Sequence, residues 1–389
     1  MKEGKYMIYA DNAATTKMSK KAVYAMLACI EENYGNPSSL HTMGNRARTA
    51  KENARKKIAK CLNALPNEII FTSGGSEADN QAILTGAGYG IEKNKFHIIS
   101  QKTEHHAILN ALKDLEGTFD ITLLDVDENG MVTAEQVKNA IRDDTAFVTI
   151  MAANNEIGTI MPIKEICEVC HERDILFHTD AVQAVGHIPI DVKEIGCDLL
   201  SFSAHKFHGA KGVGGLYVKD GIIPHTLIKG GSQENGYRAG TENVQGIVAS
   251  ATALEENIQN MSENTAKLVK MRNRLIEGLS EIPCSYLNGS KDNRLPSNVS
   301  MCFEGIEGEG LLLLLDMKGI CASSGSACNS GSIEPSYVIT AIGRPKELAY
   351  SSIRFSLSEE NTMEEVEEII KATKECIEKL RQTSPVWNK

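Results

Sequence analysis

Short apolar, β-branched runs recur through the first half of the chain, each separated from the next by a stretch with helical periodicity. The runs are EIIFT (68–72), FHIIS (96–100), FDITLL (119–124), AFVTIM (146–151), ILFHT (175–179) and DLLSFS (198–203). Between them lie amphipathic segments such as SEADNQAILTGAGYG and IKEICEVCHER. Parallel strands need crossover connections, so this alternation predicts an α/β fold with a mainly parallel sheet covered on both faces. A long segment from 247 to about 282, rich in Ala, Leu, Glu and Lys, reads as helix and leads into a second set of elements. That set contains SNVSMCF, the helix-like EGEGLLLLLDMKG, the strand-like SSIRFSL and a charged terminal helix over 361–381 opened by NTMEE. It predicts a smaller α+β domain. The expected division places 15–258 in the large domain, and 1–14 with 259–389 in the small one.

Composition narrows the functional classes. The 389 residues are 42% hydrophobic and 24% charged, ordinary for a protein with a sizeable core. Forty-one basic against 51 acidic residues give a net charge of -10, which opposes direct nucleic-acid binding. The densest apolar stretch, 311–315, is far short of the roughly 20 residues of a membrane span, and the first residues show no export signal. Ten scattered cysteines lack the spacing of a disulfide framework and read as reduced thiols, which places the protein in the cytoplasm. Cys167 and Cys170 form a CxxC, but within a helical pattern and without a second pair, so they read as structural.

Chemistry gathers at strand ends. In FTSGGSEADN a strand ends at Gly74, Gly75 and Ser76 and a helix begins, so backbone N–H groups with the Ser76 hydroxyl make a phosphate cup. A plain capped helix has the same appearance. Two later strand ends place Asp180, Gln183, Ser203, His205 and Lys206 in loops, where open α/β sheets collect their ligands. A lysine amine forms imines with aldehydes, a carboxylate holds a pyridine nitrogen protonated, and hydroxyls with a histidine bind phosphate. Together these are the groups that pyridoxal phosphate requires.

Ten ordered blocks carry a resemblance that spans nearly the whole chain. They are YADNAATT from Tyr9, NPSSLHTMG from Asn36, FTSGGSEADN from Phe71, TEHHA from Thr103 and NNEIGTIMP from Asn154. HTDAVQAVG follows from His178, SFSAHKFHGAKGVGGLYV from Ser201, GGSQENGYRAGTENV from Gly230, SSGSACNSGSIEPSYV from Ser323 and SSIRFSLSEENT from Ser351. On these blocks the chain resembles the class V, fold-type I pyridoxal-phosphate enzymes, specifically the cysteine desulfurases of the NifS and IscS type. The resemblance implies a seven-stranded-type large-domain sheet, with pyridoxal 5'-phosphate as cofactor and L-cysteine as substrate. It implies Lys206 as the Schiff-base lysine, Asp180 at the pyridine nitrogen and Gln183 near the ring oxygen, with phosphate contacts from Gly75, Ser76, Ser203 and His205. It further implies that His105 stacks on the ring and exchanges protons, that Asn155 orients cofactor and substrate, and that Arg354 pairs with the substrate carboxylate.

Thr241, beside Arg238 and Gly240, would by the same resemblance reach the phosphate in the opposite subunit of a homodimer. It is equally placed to cap a helix before Glu242. Cys328, in the polar, glycine-rich ASSGSACNSGSIEP, would receive the sulfur as a persulfide, whereas Cys321 reads as a packed strand residue. The sulfur would pass to an iron–sulfur scaffold or another acceptor protein. No resident metal is implied, although Cys328 could touch a nascent iron–sulfur cluster. Phe207, His208 and Asn329 depart from the family pattern without removing a functional group. A selenocysteine lyase or an aminotransferase on the same fold is the alternative.

Overall fold

A computed structural model describes residues 7–324 and 334–387. The chain opens with β1 (Ile8–Tyr9), α1 (Lys20–Glu32) and α2 (Thr42–Leu62). Strands and helices then alternate as β2 (Ile69–Thr72), α3 (Gly75–Lys93), β3 (His97–Gln101), α4 (His106–Lys113), β4 (Asp120–Leu124) and α5 (Ala134–Ala140). They continue as β5 (Thr145–Thr149), α6 (Ile163–His171), β6 (Leu176–Asp180), α7 (Val192–Ile195), β7 (Leu199–Ser203) and β8 (Gly214–Val218). Helix α8 (Val244–Ser280) leads to β9 (Ser285–Leu287), β10 (Asn298–Phe303), α9 (Gly308–Lys318) and β11 (Ile320–Cys321). The last elements are α10 (Tyr337–Ala341), α11 (Lys346–Ala349), β12 (Ser352–Ser356) and α12 (Met363–Thr383).

Seven strands form the large sheet in the order β2-β8-β7-β6-β5-β3-β4. Strands β3 to β7 run parallel, while β8 is antiparallel to both β7 and β2. The strands β3, β5, β6, β7 and β8 are buried throughout, which is why they appear as nearly unbroken apolar runs; β4, at the edge, is partly exposed. Alternation still sorts their side chains. Ile98 and Phe147 pack with Ala82 and Ile83 of α3 and Ile108 of α4, whereas Ile99, Val148 and Phe177 face the other core. Helix α3 crosses the sheet so closely that a Cβ at Gly86 would lie 2.4 Å from the Phe147 ring.

A second, three-stranded antiparallel sheet has the order β12-β10-β9. Helix α8 joins the two sets: Ile247, Ala251 and Leu254 lie in the core beside the large sheet, and Leu268, Met271 and Leu275 lie in the core around the small one. Ile8 and Ala10 belong to that second core, because β1 pairs in parallel with β11. The terminal helix starts at Met363, with Thr362 and Glu365 forming a capping box. Cys167 and Cys170 are buried on α6, where burial pushes the Cys167 thiol up to about 12. Cys321 lies half-buried in β11.

Candidate active site

The carboxyl ends of β3, β5, β6 and β7 carry the functional side chains, and the polypeptide changes direction there for local reasons. After β3, His105 caps α4, its Nδ1 accepting from the Ala107 N–H at 3.2 Å. After β6, the Asp180 carboxylate accepts from the Val182 N–H at 2.9 Å. The short turn 204–206 beyond β7 brings up Lys206, whose Nζ donates to the carbonyls of Ala13 and Ala14 at 2.7 and 2.8 Å. Gln183 donates to the same Ala13 carbonyl at 3.0 Å. The segment after β1 thus lines one wall, with His205 Nδ1 3.1 Å from the Thr15 hydroxyl.

The glycine turn faces this group. A Cβ at Gly75 would meet Val182 at 2.6 Å, and one at Gly74 would lie 3.8 Å from the Ser203 hydroxyl. The start of α3, Ser203 and the Asp180 loop therefore converge, and the 19-residue helix leaves its first N–H groups for an anion. Ser76 is exposed at that helix start. Glu77 is held by the Arg238 guanidinium at 2.8 and 3.1 Å, which fixes the 238–241 segment nearby. Thr241 is exposed and does not cap α8: that place belongs to Asn243, whose side chain accepts from the Gly246 N–H at 3.1 Å.

Arg354, on β12, reaches the site from the small sheet. Arg354 is 2% exposed; its guanidinium donates to the Asn155 carbonyl at 3.0 Å and to Asp11 at 3.0 Å, while its Nε is buried with no partner among the described residues. Asp11 holds no assigned role in the sequence reading, although it sits inside the YADNAATT block. It orients the arginine fork. Ser323, which precedes the segment containing Cys328, exchanges two backbone hydrogen bonds with Arg354, at 3.1 and 2.7 Å. Cys328 and Asn329 lie outside the described residues. On the far side of that segment, the Tyr337 hydroxyl donates to the Glu104 carbonyl at 2.6 Å, and its ring packs against His106 with centroids 4.7 Å apart.

Electrostatics separates the lip of the site from its floor. Burial raises the Asp180 carboxyl, and His105 and Lys206 pull it back. His105 is lowered by burial and raised in return by Asp180. Burial, with Lys206 and Lys211 nearby, lowers His205 to about 4, so it meets an anion as a neutral imidazole. Beneath them His178 is fully buried between the Thr149 hydroxyl (2.8 Å) and the Ser201 hydroxyl (3.0 Å), and burial pushes it down to about 3.

These residues fit pyridoxal phosphate. An amine, a buried carboxylate beneath the slot, an imidazole at the lip and a helix start with two glycines and two serines match the aldehyde, the ring nitrogen, the ring face and the phosphate of that molecule.

Residues 8–369 match the model of the aminotransferase class-V family. The chain is 52% identical over 383 residues to a protein named cysteine desulfurase IscS from Methanosarcina thermophila, covering 98% of this chain and 95% of that one. It is also 52% identical over 384 residues to a cysteine desulfurase IscS from Clostridium botulinum strain Hall, covering 98% and 96%. A solved structure titled NifS-like protein superposes with a TM-score of 0.89 at 38% identity, over 96% of this chain and 99% of that one.

Proposed function

The chain belongs to the aminotransferase class-V family, and from that premise we propose that it is a pyridoxal-phosphate-dependent cysteine desulfurase. In this reading L-cysteine gives L-alanine while its sulfur becomes a persulfide on Cys328: the substrate C–S bond breaks, an S–S bond forms, and the thiol proton of Cys328 is conserved in the products. The carrying observation is the convergence of Lys206, Asp180 and His105 at one strand edge, in a chain 52% identical over nearly its full length to a protein named for this activity.

Pyridoxal phosphate, when bound, supplies an electron sink next to the amino-acid α-carbon. Lys206 would hold it covalently and, when free, move the proton at the substrate α-carbon. Asp180 would keep the ring nitrogen protonated, Gln183 would contact the ring oxygen, and Gly75, Ser76, Ser203 and His205 would hold the phosphate. His105 would cover the ring face and move a proton at the departing or returning group. Asn155 would orient cofactor and substrate, and Arg354, held by Asp11, would bind the substrate carboxylate.

The two cores joined by α8 favour a large domain over 15–258 and a small one formed by 1–14 and 259–389. Helix α1 exposes Tyr24, Leu27 and Ile30 on one face, with Tyr34 and Leu40 exposed just beyond, an apolar surface suited to a second copy of the chain and to a homodimer in which Thr241 serves the neighbouring site. The nine cysteines among the described residues are free thiols and no helix among those residues is long and apolar enough to cross a membrane, in keeping with a reducing, cytoplasmic setting. An iron–sulfur scaffold or a comparable thiol protein is the acceptor, and a nascent cluster at Cys328 is cargo.

The test is to incubate purified, cofactor-loaded protein with L-cysteine and a dithiol, and to measure alanine and sulfide together. Equal amounts support the reading. Keto acid formed without sulfide would overturn it in favour of transamination.

A further inference from the structure

Behind Asp180 lie two more buried carboxyls, and neither has a cationic side chain within salt-bridge reach among the described residues. Glu104 is 0% exposed: one oxygen accepts the Met151 N–H at 2.7 Å and the Gln101 amide at 2.9 Å, and the other has no partner among the described residues. Asp79, from α3, is 1% exposed, has one oxygen without a partner, and faces the neutral His178 at 3.9 Å and the Ser201 hydroxyl. Glu104 is tied directly to the backbone beside Asp180, because Met151 precedes Ala152, whose N–H donates to the Asp180 carbonyl at 2.8 Å.

We infer that Glu104 is a positioning residue for the reaction: it stays a neutral acid under the site, and its proton leaves Asp180 as the ionised carboxylate of the group. This rests on the proposed role of Asp180 at the ring nitrogen. Three carboxylates this close in a dry interior cannot all be charged, and the charge settles where cations are within reach. Nearby His105 and Lys206 act electrostatically to lower Asp180, whereas no cation among the described residues acts on Glu104 in that way. Ionised, Glu104 would place a bare carboxylate oxygen in the interior and a second negative charge next to Asp180, favouring a proton on Asp180. Neutral, it still takes the Met151 N–H and so holds the 151–155 segment that carries Asn155.

The surrounding groups all bear on this balance. From β6 come Asp180 and His178, from α3 Asp79, from the start of α4 His105 and His106, from β3 the uncharged Gln101, and from α10 the Tyr337 hydroxyl on the Glu104 carbonyl. Burial first, and Asp180 second, push the Glu104 carboxyl up to about 8; the Met151 and Gln101 donors pull the other way.

Infrared difference spectroscopy of the cofactor-free protein tests the protonation directly. A protonated-carboxyl carbonyl band should vanish on raising the pH with a midpoint near 8, and should be missing from Glu104→Gln. Gln101→Met, which removes one donor to the ionised form, should move that midpoint up by about half to one unit, the size of one hydrogen bond. That second variant keeps the assignment testable if Glu104→Gln fails to fold. In the protein loaded with pyridoxal phosphate, the visible band should show an alkaline titration that Glu104→Gln removes. Absence of a band titrating near 8 in the wild type, or persistence of that same titrating component in Glu104→Gln, overturns the inference; a protonated-carboxyl band from Asp79 that does not follow this midpoint is separate. A protein that binds no pyridoxal phosphate would strike the functional reading instead, and the infrared result would still decide the state of Glu104.

Discussion

Two groups of buried acids in this protein are handled in opposite ways. Glu234, in the turn 233–236, receives a two-pronged Arg55 guanidinium at 2.6 and 2.8 Å, the Phe71 N–H at 2.9 Å and, at 3.5 Å, Lys51. Asp79 and Glu104, below the candidate active site, have no such cations among the described residues. The paired group is an anchor: it holds Glu234 and Asn235 in left-handed backbone (φ 46 and 58), a conformation that costs about 1–3 kcal/mol per residue and persists only where the surroundings impose it. The unpaired group is a proton store beside the reacting centre. Burial of charge alone therefore does not mark function here. What separates the clusters is whether the charge is compensated.

The largest expected effect tests the lip above the unpaired cluster. Lys206→Ala should lose the borohydride-reducible cofactor adduct and at least about a thousandfold in alanine formation, toward the upper end of what one proton-transferring group contributes. An adduct retained in the variant would remove Lys206 from its proposed role. Cys328→Ser should keep cofactor and substrate binding yet lose about as much sulfide release, since a hydroxyl is a far poorer nucleophile toward sulfur than a thiolate. Mass spectrometry of the wild type after one turnover without reductant should find the extra sulfur on the Cys328 peptide. Sulfur on Cys167, whose thiol is buried and raised, would break this assignment.

The anchor should respond in stability instead. Arg55→Met leaves Glu234 buried without its fork, and urea unfolding should show a loss of about 3–5 kcal/mol, as for other broken buried pairs. Turnover per folded, cofactor-loaded molecule should stay within about twofold. If turnover falls as far as in Lys206→Ala while stability holds, the division between anchor and reacting cluster is wrong.

Much of this arrangement was legible from sequence because strand ends in an open α/β sheet collect the reacting groups. DLLSFSAHK and ILFHTDAVQ pointed to Lys206 and Asp180, and both occupy that edge. Less visible was β8, since GGLYV opens with two glycines that weaken a strand signal; a Cβ at Gly215 would lie 2.3 Å from the Phe202 ring, so the glycine serves packing. Helix α8 begins at Val244, earlier than the expected 247, because Asn243 supplies the cap through the Gly246 N–H. Asp11 and Glu104 were in quoted motifs, but no periodicity reveals that a carboxyl is buried or which cation stands beside it. Only the folded positions show that Asp11 is paired with Arg354 and that Glu104 has no cation beside it among the described residues.

The smallest effect concerns Asp79, and its sign follows from proton linkage. Burial raises the Asp79 carboxyl well above its ordinary value, with Asp180 and Glu104 adding to the rise and the Ser201 hydroxyl opposing it. The folded protein therefore holds a proton that the unfolded chain releases near the ordinary aspartate value of about 3.9. Stability from this group is fully present below that value and declines as pH rises toward the raised one. His178, lowered to about 3, contributes the opposite slope between that value and its ordinary range, so wild-type stability alone does not isolate Asp79. The difference between Asp79→Asn and wild type does, because asparagine keeps the neutral shape without a proton to lose. Urea unfolding at pH 4, 5.5 and 7 should show the variant gaining on wild type at each step, by at least about 1 kcal/mol overall, the equivalent of one pKa unit. A difference that stays flat across this range would mean that Asp79 is ionised in the folded protein, and the contrast with the compensated Glu234 cluster would fail at that residue.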